Sequence, residues 1–166
     1  MAFDAFIKLA TVPGESTDDK HKDWIEVLSY HWGVDQPTTA TASSVGGGPS
    51  SRANFGDLKI VKQIDKASAK LAEACAIGEH IKDITLELCR AGGQKLKYME
   101  YKMEEVIVSS VHAGGSSQGS EDVPTEEVGF NYGKIKWTYT QQKRADGSGG
   151  GNVTGGWDLT QNKKYA

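Results

Sequence analysis

Residues 14–33 read GESTDDKHKDWIEVLSYHWG, and this stretch is more informative about the fold than any other part of the chain. It opens with a glycine after Pro13, and the acidic and hydroxyl residues that follow favour turns and local side-chain hydrogen bonds. Residues 24–32 are then rich in β-branched and aromatic side chains and contain neither glycine nor proline. The stretch therefore predicts a polar turn that runs directly into a β-strand.

Segments of similar β character recur along the chain. They cover residues 3–9, 24–32, 58–64, 81–90, 96–111, 128–141 and 157–159. In residues 81–90 apolar side chains alternate with a second series that includes Glu87 and Cys89, which predicts one buried face and one that meets water or a partner. In residues 128–141 the alternation shifts by one position at Gly133, and a β-bulge there is the simplest account. The predicted fold class is mainly β, either an antiparallel β-barrel or two packed sheets.

One segment departs from this pattern and predicts a single short helix. Between Asp65 and Gly78 small and apolar residues recur at helical spacing. Asp65 or Ser68 can cap the first amides, and Gly78 can adopt the left-handed conformation that ends a helix. We expect the helix to cover one end or flank of the β structure, where Leu71 and Ile77 find apolar neighbours.

Three connections are rich in glycine and serine: residues 37–53, 114–124 and 146–156. The first is longer than the roughly 12 to 15 residues that are usual in a compact domain, and it carries no apolar pattern of its own. We expect it to be a long extended loop that is either disordered or ordered by something it touches. No linker separates two cores, so residues 1–166 are predicted to form a single domain.

The charge of the chain excludes some partners. With 19 basic and 22 acidic residues the formal net charge is −3, which argues against a nucleic-acid partner held by bulk charge. No apolar run approaches the roughly 20 residues of a membrane span, and Asp4 and Lys8 interrupt any apolar signal core. We therefore expect no membrane insertion and a protein that is made in the cytoplasm. If it leaves the cell, we expect a route without a cleavable signal peptide.

No motif for catalysis emerges from the residue spacing. The glycines at 46–48 lack the lysine of a phosphate loop, and Ser16 lacks the second glycine of a nucleophile elbow. The four histidines are isolated from one another: His21, His31, His80 and His112. Cys75 and Cys89 lack metal-type spacing and predict buried reduced thiols, although a disulfide between them is also possible. We expect no catalytic residue, no cofactor and no metal, and hence no enzyme.

Several blocks of the chain, taken in order, resemble the Hcp family, the tube protein of bacterial type VI secretion systems. The blocks are residues 6–8, the turn and strand of 14–33, and then 65–71, 106–111, 126–128, 143–147 and Gly156-Trp157. They span nearly the whole chain. One departure is Ala69, where family members often carry proline, so the first helical turn lacks a preset φ.

The resemblance implies that six copies form a ring, that rings stack into a tube, and that a contractile sheath expels the tube beneath a spike with secreted effectors inside. By analogy, residues 37–53 are assigned as an arm that reaches a neighbouring subunit or ring. The residues predicted for this contact are Thr38, Thr41, Ser44, Gly47, Pro49 and Arg52. The residues predicted to face the lumen and its effectors share one side of the 24–32 segment: Ile25, Val27, Ser29 and His31. His31 is equally compatible with an ordinary surface position at a strand end.

A size estimate is consistent with such a carrier. A compact chain of this length has a radius of gyration of about 15 Å and a diameter of roughly 40 Å, and six touching spheres leave a hole as wide as one sphere. Two other classes stay open on the sequence alone. One is a carbohydrate-binding β domain without catalytic activity, which would use exposed tryptophan and tyrosine platforms. The other is a hydrolase whose residues converge in space.

Overall fold

The part of the chain that the structure describes forms twelve β-strands and one α-helix. The structure is a computed structural model, and it describes residues 2–37, 52–118, 123–143 and 149–165. In chain order the elements are β1 (Phe3–Leu9), β2 (Ile25–Val27), β3 (Ser29–His31), β4 (Val34–Asp35), β5 (Asn54–Phe55), β6 (Leu58–Gln63), α1 (Ser68–Ile77), β7 (His80–Arg90), β8 (Lys97–Gly114), β9 (Thr125–Asn131), β10 (Lys134–Gln142), β11 (Gly149–Asp158) and β12 (Lys163–Lys164). Among these residues no helix has the length and apolarity needed to cross a membrane.

Most of the strands join in one antiparallel sheet of ten strands, whose main path runs β12-β11-β10-β8-β7-β1-β2. Strand β8 is 18 residues long, and it pairs with β10 along its first half and with β9 along its second half. Strand β9 pairs in turn with β6, and β6 pairs with β3. Strands β4 and β5 form a separate ladder of two strands. The prediction of a mainly β, antiparallel fold with one short helix is confirmed.

The segment predicted as one strand over residues 24–32 is divided at Leu28. Strand β2 pairs with β1, whereas β3 pairs with β6. Leu28 donates its N–H to the carbonyl oxygen of Val61 at 2.8 Å. The chain thus changes partner in the middle of an extended segment. The sheet folds over on itself here without the continuous ladder that would close a barrel, so packed sheets describe the fold better than a barrel.

Three neighbouring strands each switch the face that carries their buried side chains. The three switches lie at the same level of the sheet. In each strand two buried residues are three positions apart instead of two. These pairs are Ile81 and Ile84 in β7, Met103 and Val106 in β8, and Tyr132 and Ile135 around the junction of β9 and β10. Glu105, which lies between the two buried residues of β8, has a positive φ of 55°. Both halves of each strand therefore contribute to one hydrophobic core.

The shift predicted at Gly133 is real, but the predicted bulge is wrong. The register against β8 is unchanged across the junction, because Asn131 pairs with Ile107 and Lys134 pairs with Glu104. The buried face of β8 changes at the same level, so neither strand contains an extra residue. The register change of this sheet region lies instead between Val108 and Ser110 of β8, close to Gly129 of β9.

Helix α1 matches the predicted segment, and its end is the predicted one, since Gly78 has a left-handed φ of 71°. The predicted caps are wrong: no side chain caps the first turn. Asp65 Oδ1 instead accepts a hydrogen bond from the Ala67 N–H at 2.9 Å, within the turn before the helix. Leu71 is buried as expected, whereas Ile77 is 68% exposed because it lies at the free end of the helix.

A buried lysine connects the sheet to the turn that precedes α1. The Lys62 side chain is fully buried on β6, and its Nζ lies 2.5 Å from Glu126 Oε1 on β9 and 2.8 Å from Asp65 Oδ1. Ser68 Oγ donates to the same Glu126 oxygen at 2.7 Å. One ammonium group therefore pairs with two carboxylates, one on β9 and one in the turn before α1, and the helix start is fixed on the sheet.

We expect Lys62→Met to lower the free energy of unfolding by about 3–5 kcal/mol, because it leaves the buried Glu126 carboxylate and the partly buried Asp65 carboxylate without their cation. Urea unfolding followed by tryptophan fluorescence measures the loss. The matched control is Lys59→Met on the same strand, since Lys59 is 51% exposed and lies 3.9 Å from Glu127. A surface pair of this kind contributes at most about 1 kcal/mol. Equal losses in the two variants would contradict this account of the buried cluster.

Candidate assembly surfaces and the segment of residues 14–33

The first part of this segment lies against the outer face of β1 and β7. Gly14 donates its N–H to the Asp23 carbonyl at 2.8 Å, and Ser16 donates to the Trp24 carbonyl at 3.0 Å. The chain between these residues is thus closed into a compact turn. A Cβ at Gly14 would lie 2.5 Å from the Trp24 carbonyl carbon, so a glycine is required at this crossing. The polar turn predicted from the sequence is confirmed.

His21 is the centre of a small cluster beneath this turn and is 3% exposed. Its Nδ1 lies 2.8 Å from Asp18 Oδ2, and its Nε2 lies 2.7 Å from Glu87 Oε2 on β7. The imidazole stacks on Phe6 of β1 with ring centroids 4.3 Å apart, and Trp24 meets it edge-on at 4.8 Å. The histidine therefore joins the turn to two strands by polar and aromatic contacts at once.

The charges around His21 shift the pKa of two neighbours in opposite directions. The Lys95 ammonium and the His21 ring both hydrogen-bond to Asp18, and they lower the pKa of its carboxyl to about 2. Burial raises the pKa of the Cys89 thiol to about 11, and the nearby Glu87 carboxylate adds to the shift. Cys89 and Cys75 are both free thiols, so no disulfide joins them. The cluster is thus a buried site of negative charge balanced by lysines at its rim.

The predicted lumen-facing residues do not share one face. Ile25 and Val27 belong to the hydrophobic core, so the prediction that they are exposed is wrong. The reason is the change of strand at Leu28, which reverses the alternation between β2 and β3. Ser29 and His31 are exposed, while Tyr30 between them packs towards the core.

Leu28, at the interruption, is 55% exposed, and Ile64 at the end of β6 is 44% exposed. Both side chains line one shallow depression, with Glu15, Glu26 and Gln63 around them. Exposed apolar side chains that are surrounded by polar ones are typical of a protein–protein contact surface. Sequence reasoning did not identify this surface, although the adjacent apolar residues at 27 and 28 interrupt the alternation and are a signal of it.

The base of the long loop is held by an aromatic clamp. The indole of Trp32 donates its Nε1–H to the Tyr132 hydroxyl at 2.6 Å, and that hydroxyl donates to the Gly56 carbonyl at 2.7 Å. Gly56 also donates its N–H to the Gly33 carbonyl at 2.9 Å. Strands β4 and β5 pair directly above this clamp. The two ends of the loop are therefore tied to each other and to the sheet.

Five of the residues predicted for the inter-subunit loop lie outside the described residues: Thr38, Thr41, Ser44, Gly47 and Pro49. Arg52 is described and is exposed just before β5. Its role in a contact between subunits stays a prediction.

Comparison with known proteins gives the deciding observation. Residues 6–139 match the family model described as "Type VI secretion system effector, Hcp". The chain is also 39% identical over 163 residues to Protein hcp1 of Pseudomonas aeruginosa, and the alignment covers 98% of each chain. This chain belongs to the Hcp family.

Solved structures agree with the Hcp assignment. A structure described as that of a type six secretion system protein superposes with a TM-score of 0.92 at 41% identity, covering 99% of this chain and 100% of the other. Hcp1 from Salmonella typhimurium superposes with a TM-score of 0.78 at 34% identity, with the same coverage. The resemblance read from the sequence blocks is thereby confirmed, and so is the Hcp-like fold.

The carbohydrate-binding alternative loses its main support in the Hcp fold. Its platforms would be exposed aromatic faces, but Trp32, Trp137 and Trp157 all pack against the core. Trp157 in particular stacks on Phe55 with ring planes 16° apart. None of these three tryptophans therefore offers a fully exposed ring as a platform for a sugar.

Two features of this Hcp chain were missed from sequence, and each had a signal. Lys62 stands in phase with Leu58 and Ile60, so alternation already placed an ammonium group on the buried face of β6. Glu87 and Cys89 share the second face of β7, which was predicted to meet water or a partner. What the sequence did not reveal is that residues 14–24 cover that face.

We expect Gly14→Ala to lower the free energy of unfolding by about 1–3 kcal/mol, because the new methyl group overlaps the Trp24 backbone. The matched control is Gly33→Ala, where a Cβ meets no atom within 4 Å. Chemical unfolding of both variants measures the difference. An unchanged stability for Gly14→Ala would show that the turn does not need this close crossing.

We expect Tyr132→Phe to cost about 1–3 kcal/mol at pH 7, because it leaves the Trp32 and Gly56 groups unpaired. Burial raises the pKa of Tyr132 to about 12 from the ordinary 10.0, so the fold favours the neutral hydroxyl. Its contribution is complete below pH 10 and is lost as the pH rises towards 12, and the gap between wild type and variant should narrow over that interval. Unfolding curves at several pH values test this.

The control for that comparison is Tyr139→Phe, whose tyrosine is 47% exposed. We expect its stability to stay close to that of the wild type at pH 7. If both tyrosine variants lose the same amount, the clamp at the loop base is not the reason.

Proposed function

We propose that this chain is a structural subunit of the type VI secretion tube, in which six copies close into a ring and rings stack. The observation that supports this most is the similarity to Protein hcp1 across 98% of both chains. In this role the chain acts through its assembled shape, and it is not an enzyme.

A ring of identical subunits needs a head-to-tail contact between two different surfaces of the chain. The depression around Leu28 and Ile64 has the character of one such surface, because these two large apolar side chains are exposed on the single chain. A neighbouring copy that covers these side chains removes apolar area from water, which favours association. We propose that this depression is part of the contact between subunits.

The remaining surfaces have proposed roles that follow from a ring. Ser29 and His31 are exposed and polar, and we assign them to the lumen, where secreted effectors would pass. The loop of residues 37–53, with Arg52 at its base, is assigned to contacts with the adjacent subunit or the next ring. The sheath and the spike are the further protein partners of such a tube. The subunit would assemble in the bacterial cytoplasm and leave the cell with the tube.

We expect the purified full chain to have about six times its monomer mass of 17.9 kDa, and to appear in negative stain as a ring with a central opening. Leu28→Glu should raise the concentration needed for ring assembly at least about tenfold, because it buries a carboxylate without a partner. Light scattering coupled to size-exclusion chromatography measures both.

The matched control is Leu28→Met, which keeps the apolar character of the position and should keep the ring. Single particles of monomer mass without an opening, at high concentration of the wild type, would overturn the proposed function. A ring that survives Leu28→Glu would instead exclude this depression from the subunit contact and leave the ring itself intact.

A further inference from the structure

Three potential metal ligands converge under the turn of residues 14–24. The His21, Glu87 and Cys89 ligand atoms all lie within 4.8 Å of one another. His21 Nε2 is 2.7 Å from Glu87 Oε2 and 3.9 Å from Cys89 Sγ. A tetrahedral Zn²⁺ centre, with metal–ligand bonds of about 2.0–2.3 Å, needs ligand atoms roughly 3.3–3.7 Å apart. We propose that these three side chains bind Zn²⁺, which goes beyond a role in the tube and does not depend on it.

The positions of the ligands are set by the fold. Glu87 and Cys89 are two residues apart on β7, so both side chains leave the same face of the strand. His21 is presented by the turn, which the Gly14–Asp23 and Ser16–Trp24 backbone hydrogen bonds close, and its Nε2 contacts Glu87 of β7. The convergence therefore joins residues more than 60 positions apart in sequence, which explains why spacing alone did not predict a metal.

The surroundings of the imidazole are those of a metal-binding histidine. Asp18 Oδ2 lies on Nδ1 at 2.8 Å, and this fixes the ring so that Nε2 faces Glu87 and Cys89. Such a carboxylate–histidine arrangement is common behind Zn²⁺ ligands. Lys97 contacts Oε1 of Glu87 at 3.5 Å and leaves Oε2 to the histidine. The lysine can thus stay in place while Oε2 binds a metal.

Binding changes the protonation of the cluster in a simple way. A Zn²⁺ ion takes the place of the proton between Nε2 and Oε2, and this proton and the proton of the Cys89 thiol are both released to solvent as the bonds to zinc form. Phe6 stacks on one face of His21 and keeps that side of the site dry. Glu87 is 16% exposed, which gives the ion a route in and leaves room for a water as fourth ligand.

The donor set favours zinc over the common hard cations. One thiolate, one imidazole and one carboxylate suit Zn²⁺ or Co²⁺, whereas Mg²⁺ and Ca²⁺ prefer oxygen alone. The expectation of no metal drawn from sequence is replaced by this proposal.

The test uses the full chain without a histidine tag, reduced and freed of metal, and titrates it with Co²⁺ as a spectroscopic probe. We expect about one Co²⁺ per chain, a near-ultraviolet thiolate-to-cobalt absorption band, and loss of that band when Zn²⁺ is added. Cys89→Ser should abolish the band, and Cys75→Ser, which removes the other thiol, should retain it. Asp18→Asn should weaken Zn²⁺ binding about 10- to 100-fold.

Near-ultraviolet circular dichroism reports whether each variant is folded, and Glu87→Gln, at the partly exposed ligand, gives a second loss-of-binding variant if Cys89→Ser unfolds. For the wild type, Zn²⁺ should also raise the melting temperature, since a ligand of the native state stabilises it. The absence of a thiolate band in folded wild type at millimolar Co²⁺ would overturn the proposal. So would a band that persists in Cys89→Ser or disappears in Cys75→Ser.

Discussion

The fold depends on one constraint of the pleated strand. Such a strand buries only every second side chain as long as its side chains alternate regularly between the two faces. In β7, β8 and the β9–β10 junction the alternation breaks at one common level, so the two halves of each strand bury residues in the same core. Because the three breaks lie side by side, the register of the sheet survives them. The left-handed backbone at Glu105 is the local cost of this arrangement.

The same sheet has a second buried layer on its outer face. Phe6 and Cys89 point away from the main core, and the turn of residues 14–24 covers them with His21. This stretch is thus a cover in which Gly14 permits the close crossing with the Trp24 backbone and His21 contacts the strands beneath. At Leu28 the chain then changes its pairing partner from β1 to β6. The segment therefore contributes in turn to the outer layer, the core and the exposed depression.

Most of the regular elements could be predicted from sequence because their signals are local. The alternation of β1 and β7 and the glycine at the end of α1 each depend on neighbours within a few residues. The rest depends on distant partners. The break at Leu28 follows from β6, and the burial of Lys62 depends on Glu126, which is 64 positions away. The exposure of Ser29 and His31 could be read from alternation only once that break was known.

The loop base has a consequence for how the family can vary. Val34 pairs with Phe55 and Asp35 with Asn54, so the chain enters and leaves the loop at one place. Lengthening a loop between fixed ends costs free energy only as the logarithm of its length. The aromatic clamp at the loop base therefore stabilises the sheet independently of the sequence of residues 36–53. We therefore expect insertions, deletions and foreign peptides between the two ends of the loop to alter what the subunit displays at little cost to its scaffold, which suits this junction to engineered display.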